Sequence, residues 1–260
     1  MIRYPVVAGS FYPADPHQLQ NQIENFLKEV PPASAPAPKA IIAPHAGYIY
    51  SGPIAASVYH RLAAIHDQIT RVVLIGPSHR WAFRGLGLSR AERFATPLGE
   101  IPLDLETVAT LAKLPFVDYV EQAHSHEHSL EVHLPFLQHT LKQFSLIPIV
   151  AGDASAAEVS EVLELLWGGP ETLIVISSDL SHFHPYEVAK RLDQTTSAKI
   201  ERLQYEQLDY ESACGRIPIS GLLALARKKF WQVATIDVRN SGDTAGDKQR
   251  VVGYGAYVIE

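Results

Sequence analysis

The chain predicts an α/β fold: a three-layer α/β/α sandwich with helices on both faces of a mostly parallel sheet. Three observations predict it. Short apolar runs at 40–43, 71–75, 144–150 and 172–177 alternate with longer stretches of helical periodicity. The stretch from the first run to the second is long enough for a right-handed parallel crossover. Histidine-bearing loops leave three of these runs at their carboxyl ends, where α/β proteins place their chemistry.

The elements follow in order. Residues 1–14 read as an irregular arm packed on the body. Asp15-Pro16 starts a helix whose apolar face is Leu19, Ile23, Phe26, Leu27 and Val30. The proline-rich stretch 31–38 ends it as an extended connector. Strand 40–43, a helix from Gly52-Pro53 to residue 65 and strand 71–75 form a first β-α-β unit, with proline in the helix's first turn. Short strands around a turn at Thr96-Pro97-Leu98-Gly99 come next, then a helix capped by Asp104. Leu130, Leu134, Leu137 and Leu141 place the segment around residue 130 on a helix, with Glu127 and Glu131 four apart on one face. Helices at 155–167, 186–204 and after Pro218 and two closing antiparallel strands complete the chain. No fixed-period repeat appears, so residues 1–260 are read as one domain.

Composition narrows the function. A net charge of −6 gives no basic face for nucleic acid. The first residues contain no apolar leader and no run approaches the roughly 18 residues of a membrane span, so a cytoplasmic location is expected. Cys214 is the one cysteine, which excludes an internal disulfide. The 12 histidines, by contrast, cluster.

His45 leaves the strand 40–43 in A-P-H-A-G-Y, and His79 leaves 71–75 in G-P-S-H. Asp179 and His182 leave 172–177 in S-S-D-L-S-H. Each histidine alone reads equally as a satisfied polar residue. Two in equivalent settings, with D-x-x-H at a third exit, point to a metal. Imidazole suits zinc, copper or iron, and Cys214, buried filler on spacing alone, would complete a set with one position open. Asp179 and His182 are further ligands, or groups that orient an imidazole and move protons. Glu127 and Glu131 form either a solvated helix face or a pocket wall supplying acid–base groups. Serine-hydrolase, P-loop and Rossmann signatures are missing.

Together A-G-S-F-Y, I-I-A-P-H-A-G-Y-I-Y-S-G, G-P-S-H, E-H-S-L-E-V-H-L-P-F-L, S-S-D-L-S-H and C-G-R-I-P-I-S-G-L-L resemble the MEMO family over essentially the whole chain. In prokaryotes that family is the B component of the AmmeMemoRadiSam set. The resemblance implies a fold similar to the class III extradiol (LigB-like) dioxygenases. It also implies a redox-active metal, Fe(II) or Cu, held by His45, His79 and Cys214; zinc would also suit the donors. Asp179 and His182 match the motif lining the same pocket, His182 as acid–base and Asp179 as its orienter. The function so implied is that of a metal-dependent, dioxygenase-like oxidoreductase acting on an unknown small molecule or peptide. A hydrolase using Glu127 or Glu131 as base, and a peptide- or protein-binding module, are the alternatives. The family name links the chain functionally to AMMECR1-like and radical-SAM proteins. Ile217 and Phe183 depart from metazoan relatives, which carry histidine and tryptophan there, so substrate details do not transfer.

Overall fold

A computed structural model describes residues 1–32 and 37–260. In chain order the elements are β1 (Ile2–Arg3), α1 (Pro16–Glu29), β2 (Ala40–Ala43), α2 (Tyr48–Tyr59), β3 (Arg71–Pro77), β4 (Leu86–Leu88), β5 (Arg93–Thr96) and β6 (Gly99–Pro102). Then follow α3 (Leu105–Leu111), β7 (Val117–Tyr119), α4 (Glu121–Ser125), α5 (Leu134–Thr140), β8 (Ser145–Ala151) and α6 (Ala156–Leu166). The last are β9 (Thr172–Ser177), β10 (Asp179–His184), α7 (Tyr186–Glu201), α8 (Arg216–Lys229), β11 (Val233–Asn240) and β12 (Val251–Ile259). The middle of the proline-rich connector, 33–36, lies outside the described residues.

The large sheet runs β10-β12-β2-β9-β3-β8-β4-β7, with β11 on β12. Its centre, β2-β9-β3-β8, is parallel, and antiparallel pairings flank it at β2–β12 and β8–β4. β2 and β3 are parallel as expected, but β9 lies between them. The first β-α-β unit therefore skips a strand, and the carboxyl ends of β2, β9 and β3 stand side by side. β10 and β2 share one edge of β12, at 251–254 and 257–259, so β10 begins where β2 stops.

Strand alternation divides the core. Ile41, Ala43, Val72, Leu74, Leu173 and Val175 pack toward α1, α2 and α5. Ala40, Ile42, Val73, Ile75, Ile174 and Ile176 pack toward α3, α6 and α8. Two apolar layers on one sheet make the three-layer arrangement. β1, β5 and β6 form a separate three-stranded sheet, where the N-terminal arm meets the body.

Several helix starts follow from local chemistry. Asp15 accepts from Gln18 N–H, Asp104 from Thr107 N–H, and Ser155 forms a reciprocal capping box with Glu158. Two segments differ from the sequence expectation. α2 begins at Tyr48, not at Gly52-Pro53, and carries Pro53 inside it. Tertiary contacts move the start: Tyr48 N–H donates to Phe11 O, and its buried hydroxyl donates to Val132 O at 2.8 Å. Residues 126–130 are not helical. They form a loop between α4 and a short 3-10 turn, Glu131–His133, that leads into α5. The Glu127 carboxylate accepts the N–H groups of His128 and Ser129, both at 2.9 Å, and so takes donors a helix would need.

Candidate metal centre

The carboxyl ends of the central strands bring three imidazoles together. One ring nitrogen from each of His45, His79 and His128 lies within 4.8 Å of the other two, so this group could hold a metal ion. The ring centroids are 5.1 Å (His45–His79), 5.5 Å (His45–His128) and 4.7 Å (His79–His128) apart. His45 follows β2, His79 follows β3, and His128 comes from the non-helical loop. That loop lies directly on β3: a Cβ on Gly76 would stand 2.8 Å from Ser129 Oγ, so only glycine fits there. His128 was not picked out as a ligand from the sequence. Its signal was the E-H pair in a dense polar segment, and a helical reading turned that ring elsewhere.

The ring orientations are set by acceptors behind them. His79 Nδ1 lies 2.9 Å from Glu127 Oε1, and its backbone N–H donates to Oε2 at 2.6 Å. Burial pushes the Glu127 carboxyl up, yet the hydrogen bonds and charge of His79 and the Ser129 N–H outweigh it and hold the pKa at about 2. An ionised carboxylate only accepts, so His79 donates to it from Nδ1, which leaves Nε2 outside this hydrogen bond. His128 Nδ1 lies 3.3 Å from the same Oε1. Burial, reinforced by the neighbouring imidazoles, holds His45 well below the ordinary histidine range. Burial likewise takes His128 down to about 4. The His45 and His128 rings are thus neutral donors of lone pairs at neutral pH, which is what a transition metal requires.

Cys214, immediately before α8, approaches from the His45 side: its Sγ lies 3.4 Å from His45 Nε2 and accepts from Asp179 N–H at 3.3 Å. Burial and the adjacent Asp179 carboxylate push the thiol pKa up. A cation would have to displace that proton.

Asp179 is buried, and burial pushes its carboxyl up. Its Oδ1 accepts His45 N–H at 2.8 Å, and Oδ2 stands 3.9 Å from His45 Nε2. No hydrogen bond joins it to His182 among the described residues. His182 Nδ1 instead donates to Leu180 O at 2.8 Å, which leaves its Nε2 outside that bond. His182 lines a cavity of about 320 Å3 with His79, Phe183, Tyr210, Glu211 and Cys214. Phe183 and Tyr210 are 60% and 81% exposed, an aromatic rim. Ile217 lines an adjoining cavity of about 250 Å3 that also reaches Cys214.

Glu131 is not brought to this cavity. Its carboxylate is fully buried and holds the N-terminal arm, accepting from Arg3 Nη1 (2.5 Å), Val6 N–H, Val7 N–H and the Tyr12 hydroxyl (2.7 Å). Glu127 and Glu131 therefore face opposite tasks, not one helix face. No helix among the described residues is long and apolar enough to cross a membrane.

Residues 3–258 match the family model described as Memo-like protein. A MEMO1 family protein of Sulfolobus acidocaldarius is 37% identical across 98% of both chains. One from Aquifex aeolicus is 36% identical across 97% of both. A crystal structure of an uncharacterised Escherichia coli K12 protein superposes with a TM-score of 0.54 at 14% identity, covering 84% of this chain and 98% of that one, a likeness of fold alone. By its family model and its near full-length relatives, the chain belongs to the Memo family.

Proposed function

We propose that the protein is a metal-dependent, dioxygenase-like oxidoreductase that holds iron or copper at His45 and His79, with Cys214 as the thiolate ligand. The observation that carries this is the convergence of imidazole nitrogens within 4.8 Å beside a thiol 3.4 Å from His45 Nε2. Soft and borderline donors of this kind suit iron, copper or zinc and exclude a calcium- or magnesium-type oxygen cage. Iron or copper bound there would supply the activation of dioxygen. His128 stands as a further imidazole beside His45 and His79.

The chain's own residues do the rest. Glu127 fixes His79, and Asp179 fixes the backbone of His45. His182, oriented by the bond from Nδ1 to Leu180 O, takes a proton from a substrate in the 320 Å3 cavity and returns it. That volume fits a small organic molecule, with the aromatic rings of Phe183 and Tyr210 at its rim. A hydrolytic reading with Glu127 or Glu131 as base is less well supported, because both glutamates are committed, Glu127 to His79 and Glu131 to Arg3.

The test is metal content and oxygen consumption of protein purified anaerobically after iron, copper and zinc are supplied in turn. The expected result is stoichiometric iron or copper in the wild type and its loss in His45→Ala and His79→Ala. Unchanged metal in those variants, or zinc with oxygen-indifferent activity, would overturn the proposal.

A further inference from the structure

The network behind His45 assigns a role to two serines. His45 Nδ1 lies 2.6 Å from Ser177 Oγ, at the last residue of β9. The Ser177 hydroxyl itself sits 2.6 Å from Ser129 O. A carbonyl cannot donate, and the hydroxyl has one proton, so that proton points at Ser129 O. Ser177 Oγ must then accept from His45, which places the ring proton on Nδ1. The opposite arrangement would set two bare acceptors against each other at 2.6 Å inside the protein, with Ser177 and Ser129 both fully buried.

Ser129 is the hub of the same network. Its N–H donates to Glu127 Oε1 at 2.9 Å, the atom that also receives His79 Nδ1. Its hydroxyl donates to Pro77 O at 2.8 Å, two residues before His79. One continuous run of hydrogen bonds therefore links the ring of His45 to that of His79 through Ser177, Ser129 and Glu127. Each imidazole is pinned through Nδ1, which leaves Nε2 for the shared centre.

We propose that Ser177 is a positioning residue that fixes the Nδ1–H tautomer of His45 and, through Ser129, ties its orientation to that of His79. The consequence for metal binding rests on the metal-centre reading above; the tautomer itself does not. Groups that orient a ligating imidazole in this way change metal affinity by about 10- to 100-fold when removed.

Two readouts on the full chain test it. The first is a long-range proton–nitrogen correlation spectrum of metal-free protein with 15N-labelled histidine, with His45 assigned by its loss in His45→Gln. Wild type and Ser177→Thr are expected to show His45 protonated at Nδ1, and Ser177→Ala to show Nε2–H or a mixture. The second is Co(II) affinity by competition. Ser177→Ala is expected to bind about 10-fold or more weakly, and Ser177→Thr to stay close to wild type. An Nε2–H tautomer in the wild type overturns the proposal, whether or not Ser177→Ala folds. So does a Ser177→Ala protein that keeps both the Nδ1–H tautomer and wild-type Co(II) affinity. Should wild type show Nδ1–H and Ser177→Ala lose it while neither binds Co(II), the relay stands and the metal-centre reading falls.

Discussion

Glu127→Gln replaces a buried carboxylate by an amide of the same shape. Three N–H groups converge on Oε1, from the His79 ring, His128 and Ser129, and one from the His79 backbone meets Oε2. The amide oxygen can serve only one of these positions. Its NH2 then opposes a donor, leaving at least one buried N–H unpaired at a cost of about 1–3 kcal/mol. A second route gives a similar size. The carboxyl is held at about 2 from an ordinary 4.5, and each tenfold in proton affinity is worth about 1.4 kcal/mol, so ionised Glu127 contributes ~3 kcal/mol. A depressed acid stabilises the fold above its unfolded pKa and loses that contribution as pH falls toward the folded one. The gap between wild type and Glu127→Gln is therefore full at neutral pH and closes between pH 4.5 and about 2. Urea unfolding across that range measures it. No gap at neutral pH, or one that stays constant on acidification, would refute the assignment of Glu127 as an ionised anchor.

Glu131→Gln strips the charge from a buried pair and should destabilise by about 3–5 kcal/mol in chemical unfolding, well beyond an exposed ion-pair loss. Gly221→Ala should cost about 1–3 kcal/mol, because its Cβ would fall 2.2 Å from Val159 Cγ1 where α8 crosses α6; Co(II) affinity, measured alongside, should not change. Because the metal donors come from distant parts of the chain, the unfolded protein lacks the site. A Co(II) excess of about 100 times Kd should therefore add ~2.7 kcal/mol to wild-type stability and nothing to His45→Ala, read as a thermal shift.

Much of the scaffold was legible because buried parallel strands are unbroken apolar runs and because Asp15, Asp104 and Ser155 cap their helices by local chemistry. His45 and His79 were visible for the same reason, each following a strand that must end. Strand order was not legible. That β9 separates β2 from β3 is a long-range pairing with no local signature. The start of α2 at Tyr48 depends on Phe11, far upstream. The leucines at 130, 134, 137 and 141 have true helical spacing, but only part of that stretch is helix, since the Glu127 side chain competes for backbone donors just before it. That one misreading hid His128 and put Glu127 and Glu131 on a common face. Cys214 lies 169 residues from the imidazole it touches, a distance no spacing argument spans.

The division of labour between those two glutamates explains how irregular backbone can carry a ligand. Residues 126–130 have no helix or strand to hold them. Arg3 braces the segment from outside, with Nη1 on Glu131, Nη2 on Glu127 O at 2.5 Å and Nε on His124 O. Phe11, from the same N-terminal arm, packs in a T-shaped contact with His128, the ring centroids 4.9 Å apart. From inside, Ser129 is fastened to Pro77 O and Ser177. Backbone fixed from both sides costs little further order when a cation arrives, and imidazoles kept neutral by burial do not repel one another beforehand. The cost of the arrangement is a buried ion pair that does no chemistry, Arg3–Glu131, whose work is to keep His128 facing His45 and His79.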